Sequence, residues 1–319
     1  MRIHREFHPT FKKKHLRMKS WSGKTRGGIL GYKIFVFLLR KVGIRSAYFL
    51  LRVVSLYYVL FAPKACRSIY YYFHVIRGYP PVKSFISTYR NFYVFGQVLI
   101  DKVALLSGLT EKFTFDFEGE EYIHQIASDK TGGILMSAHA GNWEIAGQLL
   151  NRIDCPINIL LLDAEHQRIK KFLSEIMVGK TENRQVHIIV EKDDMSHLFE
   201  LNQLFKRNEI LGLHADRFLP GMKVLKTNFL GKEAAFPYGP FYLAARFGVP
   251  VSFAFAMKDS RNHYHFYASK PKIYPWQRKN SELIIKTILN DYVLELEKVL
   301  KKYPEQWFNY YNFWEATLS

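Results

Sequence analysis

The apolar pattern of this chain changes character along its length. From Ile34 to Pro63 it is rich in Phe, Leu, Val and Tyr, with Arg40, Lys41, Arg45 and Arg52 interrupting it. The best membrane-spanning window, Ser46 to Ala62, contains Arg52. An arginine near a bilayer centre costs about 2.5–3.5 kcal/mol on insertion scales, which many apolar neighbours can offset. Two placements therefore stand: a single span, or an in-plane amphipathic helix pair whose basic side chains snorkel to headgroups. Tyr70-Tyr71-Tyr72-Phe73 extends the aromatic character, and Pro80-Pro81 then breaks the chain. From Ser84 to Leu106, Phe85, Tyr89, Phe92, Phe95, Val98, Leu99 and Val103 recur at helical spacing and predict an amphipathic helix lying on the main domain.

Beyond it, short apolar runs predict strands: Gly133 to Ala138, Ile157 to Leu162, Val186 to Val190, Ile210 to Leu213, Val249 to Met257 and His263 to Ala268. Helices are predicted between them at Trp143 to Leu150, His166 to Val178, Met195 to Arg207 and Pro240 to Phe247, with a long terminal helix over Ser281 to Lys302. The alternation implies an α/β fold with a mixed, mostly parallel central sheet flanked by helices. The short link Lys258 to Asn262 makes the last two strands an antiparallel hairpin, expected at a sheet edge.

Composition supports a sizeable core, since 48% of the 319 residues are hydrophobic. The formal charge of +18 calls for an anionic partner: nucleic acid, an anionic lipid surface or an acidic carrier protein. Much of that charge lies in residues 1–26, where nine Lys and Arg face only Glu6. Next to the apolar segment, such an arm reads as an electrostatic anchor, and a span would place it in the cytoplasm. The expected organisation is a basic arm (1–26), membrane-associated hydrophobic helices (27–79) and a catalytic domain (80–319). No cleaved signal peptide is expected. Cys66 and Cys155 offer neither metal spacing nor a disulfide framework, so a reducing compartment is the default.

The candidate chemistry lies in His139-Ala140-Gly141-Asn142-Trp143-Glu144. A histidine and a carboxylate five residues apart point in different directions on one continuous helix. They can meet if the chain turns between them. A strand ending at Ala138, a bend at Ala140-Gly141 and an N-cap at Asn142 supply that turn. Glu144 would then sit in the first helical turn, where the macrodipole favours its ionised form. A carboxylate on one imidazole nitrogen fixes the tautomer and raises the basicity of the other, which can take a proton from a hydroxyl or amine. Ser137 is read as alternating away from His139, and Cys155 has no evident partner. The pair therefore suits direct attack by an activated acceptor, without an acyl-enzyme.

Here the chain resembles the bacterial late acyltransferases of lipid A biosynthesis (lauroyl and myristoyl transferases), a branch of the glycerolipid acyltransferase superfamily with a His-x4-Asp/Glu motif. Four blocks carry the resemblance in order. They are His139 to Glu144, Asp216-Arg217 in Leu213-His214-Ala215-Asp216-Arg217, the stretch Phe229 to Pro240 with its Pro237-Tyr238-Gly239-Pro240 ending, and Pro304-Glu305-Gln306-Trp307. The resemblance implies a catalytic pair of His139 and Glu144, and transfer of a fatty acyl chain from acyl carrier protein or coenzyme A to a lipid acceptor. The setting it implies is the cytoplasmic face of the bacterial inner membrane, with the protein peripheral or single-pass. No cofactor or metal is expected, and the chain is expected to be a monomer. Two arginine-bearing segments common in the family are replaced here by Leu161-Leu162-Asp163 and Trp307-Phe308-Asn309-Tyr310-Tyr311. Their absence suggests a less phosphorylated acceptor. Lipid A precursor, another glycolipid, an aminolipid and a polyene lipid all stand.

Further substrate-binding candidates are Asn142, Asp216, Arg217, Pro237 and Gly239. Asp216 reads as a loop residue or a positioning carboxylate, and Arg217 as a bidentate phosphate ligand for the lipid or for phosphopantetheine. Pro240 suits the first helical position, and Gly239 allows close backbone approach, so free amides there would form an oxyanion or phosphate site. His263 and His265 share a strand face but lack further ligands for zinc. Two competing functions remain at this level: a thioesterase or lipid hydrolase using the same pair on water, and a basic nucleic-acid-binding protein. For the latter no binding motif is found, and no nucleic-acid partner is expected.

Overall fold

The structure is a computed structural model and describes residues 37, 41–106, 108–109, 112–142, 145, 153, 155–162, 186–191, 196–219 and 221–314. The basic arm, Trp143, Glu144 and the predicted helix His166 to Val178 lie outside these residues, as does all of the predicted helix Trp143 to Leu150 except Ile145.

In chain order, helices α1 (Ile44–Phe61) and α2 (Pro63–Tyr71) precede a π-helical turn, and α3 (Pro81–Leu106) leads into β1 (Thr114–Glu118) and α4 (Glu120–Ser128). Then come β2 (Gly133–Ser137), β3 (Ile157–Leu162), β4 (Val186–Glu191), α5 (His197–Lys206) and β5 (Ile210–His214). The hairpin β6 (Val224–Phe229) and β7 (Lys232–Pro237) is followed by α6 (Tyr238–Phe247), β8 (Val251–Lys258), β9 (His263–Ala268) and α7 (Ser281–Lys302).

Among the described residues one sheet has seven strands in the order β1-β9-β8-β2-β5-β3-β4. Strands β8, β2, β5, β3 and β4 are mutually parallel, and β9 returns antiparallel to β8. The expected edge hairpin is therefore corrected in one respect. β9 is an inner strand, because β1 pairs parallel to it on the outside. Thr114–Glu118 has the alternating exposure of an edge strand, but it is short and partly charged, so it gave little apolar signal. The β6–β7 hairpin was also missed. It turns at Leu230-Gly231 with φ of 52° and 85°, the two positive values a tight type I′ connection requires.

Alternation divides the sheet into two faces. Ile134, Met136, Leu211, Leu213, Phe253 and Phe255 pack in one cluster with α7, whose Ile285, Ile288, Leu289, Tyr292 and Leu296 are buried at helical spacing. Leu135, Ile157 and Ile210 face the other way and pack with Ile123 and Ile126 of α4.

Helix α1 lies along α3. Ala47, Tyr48 and Leu51 are buried, and Leu51 seats so closely over Gly96 that a Cβ there would approach its Cδ1 to 2.4 Å. Phe49, Val53, Leu56, Leu60 and Phe61 of α1 are exposed, as are Val82, Phe85 and Ile86 of α3.

Candidate active site

The register of two parallel strands assembles the site. Ser137 at the end of β2 stands opposite His214 at the end of β5. Two residues further along each chain are His139 and Asp216, on the same face by strand alternation. The His139 Nδ1 lies 2.7 Å from Asp216 Oδ1, and the His139 backbone N–H donates to Asp216 Oδ2 at 3.0 Å. Asp216 is fully buried and also accepts from Asn309 Nδ2 at 2.9 Å. Burial alone would raise its carboxyl, but the adjoining His139 ring, with Arg217 and His214 nearby, outweighs this and holds it well below the usual carboxylate range. An ionised Asp216 accepts a proton-bearing Nδ1 from His139, which leaves Nε2 as the basic nitrogen.

Next to Nε2 stands a residue that the sequence analysis did not single out. His214 Nδ1 is 3.3 Å from His139 Nε2, with the rings edge to face. The available signal was its place two residues before Asp216 on a strand, which puts both on one face. The same reasoning corrects Ser137. Residues two apart on a strand share a face, and Ser137 lines the same cavity as His214 instead of turning away.

That cavity, of about 110 Å³, runs along the sheet face opposite α7. Leu135, Ile153, Ile157, Ile159 and Leu161 line it, with the small residues Gly212, Ala254 and Ala256 leaving room between them.

The loop carrying His139 is clamped from two sides. Gly141 has φ of 66°, and a Cβ there would fall 2.1 Å from the Ala256 carbonyl oxygen, so glycine is required both by backbone and by space. Asn142 N–H donates to the same carbonyl. From the C-terminal segment, Gln306 accepts from Gly141 N–H, and Phe308 N–H donates to the His139 carbonyl, both at 2.9 Å. Asn91 on α3 in turn donates to the Glu305 and Trp307 carbonyls. The closing block Pro304 to Trp307 thus acts as a strap over the loop, and the roles of Asn91, Gln306 and Asn309 were not legible from spacing.

The remaining sequence candidates divide. Asn142 is buried, and its side-chain amide donates to Val98 O and Tyr264 Oη, so it anchors the loop to α3 and β9. Arg217 uses Nε on Asn309 Oδ1 and one terminal nitrogen on Phe308 O, each at 2.8 Å, which ties the C-terminal segment to Asp216. Pro237 and Gly239 belong to the start of α6, which begins at Tyr238, two residues earlier than expected. Pro240 fits there because the first N–H groups of a helix have no intrahelical acceptor. The Tyr238 N–H bonds to Lys223 O, anchoring this turn to the segment before β6. Glu144 lies outside the described residues. His263 and His265 face Asp116, and among the described residues no cluster suited to a metal is present.

A second buried polar group lies below the loop. Lys258 Nζ is 2.5 Å from Asp101 Oδ2, and Tyr48 and Tyr264 also donate to Asp101. Burial pushes the Asp101 carboxyl up and the Lys258 ammonium down, each toward neutrality, while their mutual attraction opposes both shifts. This cluster ties α1, α3, β8 and β9 together and touches Asn142 through Tyr264.

A mostly parallel α/β sheet with a carboxylate-held histidine at its strand ends, beside an apolar cavity, is an arrangement suited to acid–base chemistry. Residues 89–315 match the sequence model of the bacterial lipid A biosynthesis acyltransferases, and the chain belongs to that family. It is therefore an acyltransferase. No individual curated protein matches the chain.

Proposed function

We propose that the chain transfers a fatty acyl group from a carrier thioester to a hydroxyl or amine of a lipid acceptor, with His139 as general base. The observation that carries this reading is the His139 ring held by buried Asp216, with its basic nitrogen against His214 at an apolar cavity. A neutral imidazole whose tautomer is fixed by a carboxylate is the group that such an attack needs. Glu144, the carboxylate of the same block, is the catalytic partner that the family resemblance implies, and Asp216 holds His139 Nδ1. The cavity receives the acyl chain, with the thioester carbonyl near His139 and His214. The donor is acyl carrier protein or coenzyme A. The positive charge of the chain favours the acidic carrier, by salt-sensitive docking.

The acceptor is a membrane lipid or glycolipid, and the protein works at the cytoplasmic face of a bacterial inner membrane. Helix α1 is the one described helix long and apolar enough to cross a bilayer, yet a third of it is buried against the protein. That division favours in-plane insertion, with the exposed apolar residues of α1 and α3 in the bilayer and Arg52 at headgroup depth.

The test uses the full chain in liposomes containing a bacterial polar lipid extract, with dodecanoyl-carrier thioester as donor. Wild type is expected to form an acylated lipid, and His139→Ala to form none while still binding the liposomes. Full transfer by His139→Ala would overturn the assignment. Free fatty acid released at the full rate without acceptor lipid would identify a thioesterase instead.

A further inference from the structure

The loop that carries His139 rests on the end of β8, where the Asn142 N–H donates to Ala256 O at 2.7 Å. Lys258 follows two residues later and stands opposite Tyr264 of β9, so both side chains leave the sheet on one face. Both reach Asp101 of α3. Lys258 Nζ and Tyr264 Oη each lie 2.5 Å from its Oδ2, and Tyr48 of α1 donates to its Oδ1. Lys258 Nζ also donates to Arg261 O. All four side chains are buried.

Two lines run from this cluster to the loop. Tyr264 gives its one hydroxyl hydrogen to Asp101, which leaves its oxygen lone pairs for the Asn142 amide. Asn142 Nδ2 lies 3.4 Å from that oxygen and also donates to Val98 O at 3.2 Å. Val98 and Asp101, three apart on α3, share a helix face, so α3 grips Asn142 once directly and once through Tyr264. The second line uses the main chain of Lys258. Gln306 Oε1 accepts its N–H at 2.8 Å, and Gln306 Nε2 donates to its carbonyl at 2.6 Å. The Gln306 carbonyl in turn receives the Gly141 N–H, two residues from His139.

We infer that Tyr48, Asp101, Lys258 and Tyr264 are positioning residues for the His139 loop, so that α1 belongs to the catalytic scaffold. The inference rests on the reading of His139 as the base. Stability alone does not call for charge at this place, because apolar residues of equal volume often stabilise as well as a buried ion pair. What the cluster supplies is direction: each donor has one acceptor, and the arrangement fixes which way the Tyr264 oxygen faces. The two faces of α1 then do different work. Phe49, Val53, Leu56 and Leu60 are exposed toward the proposed bilayer contact, while Tyr48 on the buried face closes the line to Asn142.

The experiment measures Tyr48→Phe, Tyr264→Phe and the double variant in the full chain in liposomes, with His139→Ala and Tyr274→Phe as controls. Tyr274→Phe likewise removes a tyrosine hydroxyl from a carboxylate, that of Asp291, in the segment that pairs with the start of β8. The readouts are flotation, melting temperature, and kcat and KM for dodecanoyl-carrier thioester well below the melting temperature. Both single variants are expected to float as wild type with KM within about twofold, while kcat falls about 10-fold or more. The double variant should lose less than the product of the two, because both act through Asp101. Tyr274→Phe should lower the melting temperature and leave kcat as in wild type. Either single variant, folded and with kcat within about twofold of wild type beside an inactive His139→Ala, overturns the positioning role. An equal fall of kcat in Tyr274→Phe overturns it too, as general loosening, and a fully multiplicative double variant overturns the shared route through Asp101. An active His139→Ala overturns the underlying reading instead. Should Tyr264→Phe fail to fold, Tyr48→Phe decides, since it leaves the direct partner of Asn142 in place.

Discussion

Gly212→Val gives the sharpest test of the acyl cavity. Gly212 lies two residues before His214 on β5, about 7 Å deeper along the strand. A Cβ built there would meet only Asn158 O at 3.8 Å and Ile159 Cγ1 at 3.9 Å, ordinary contacts that require no shift of the backbone. Its φ is not positive, and a β-branched residue suits a strand, so the fold should survive. The valine side chain would instead project into a cavity of about 110 Å³. Three added carbons would exclude about three methylenes of the substrate chain. At about 0.8 kcal/mol for each methylene no longer buried, the longest accepted thioester would lose about 2 kcal/mol of transition-state binding. That corresponds to roughly a 30-fold fall in kcat/KM, while a chain short enough to stop above Gly212 would lose little. The assay is a competition among carrier thioesters of increasing even chain length, read by mass spectrometry of the acylated lipid. The preferred length should shorten, with the melting temperature unchanged or slightly raised. A variant that folds as wild type and keeps the same chain-length profile would refute the assignment of this cavity to the acyl chain.

Asp216→Asn should lower kcat by roughly 10³–10⁴-fold, because an amide no longer fixes the His139 tautomer; near-wild-type kcat in the purified variant would remove Asp216 from the mechanism. The same group gives a pH signature. Its folded-state pKa is depressed, so its stabilisation is complete above the unfolded value of about 3.9 and is lost as pH falls below that toward the folded value. The stability gap between wild type and Asp216→Asn, followed by thermal melts, should therefore shrink below about pH 4. Lys258→Met should destabilise by about 3–5 kcal/mol at neutral pH by leaving the Asp101 carboxylate buried without its cation. Mild acid should restore part of this loss in denaturation curves, since Asp101 already titrates above its ordinary range. Replacing exposed Val53, Leu56 and Leu60 together by Ser should release the protein from liposomes in a flotation assay with no fall in melting temperature; continued flotation would place the membrane contact elsewhere.

The parts of the fold that were legible in sequence share one cause. The inner strands of a parallel sheet are buried on both faces, so β2, β3, β5 and β8 appear as mainly apolar runs, interrupted inside by Asn158 and Ser252. β1 and the β6–β7 hairpin are half exposed, and their polar positions hide them. The candidate site divides in the same way. His139 and Gly141 announce a turn because glycine has a local meaning. Asn142, expected as an N-cap, instead holds the loop through Val98 O and Tyr264 Oη. The contact between His139 and Asp216 joins residues 77 positions apart and depends on strand register, which no local spacing reports. His214 was hidden for the same reason. The functional weight of Gln306 and Asn309 depends on a terminal segment folding back over the loop, a long-range contact between polar residues of ordinary type.

Register also explains why acid–base chemistry and chain binding occur together in this fold. Because β2 and β5 are parallel and adjacent, the residues that follow them advance in step, and side chains at equal height share a face. Ser137 and His214 form one level, with His139 and Asp216 the next above it. Below them, Leu135 and Gly212 continue the same face into the cavity. A shift of one residue in β5 would turn His214 and Asp216 toward the α7 core and put Leu213 on the catalytic face. Such a slip is opposed by the burial of Leu211 and Leu213 in that core and by the Ala215 N–H bond to Ser137 O. The alignment of the imidazoles with the apolar cavity is thus enforced by the same hydrophobic packing that stabilises the sheet. Substitutions that weaken the α7 face, such as Leu213→Ala, should therefore lower transfer by loosening this alignment before they abolish folding. Hydrogen exchange at β5 measured beside kcat tests this, since unchanged exchange with lowered kcat would break the proposed link between packing and catalysis.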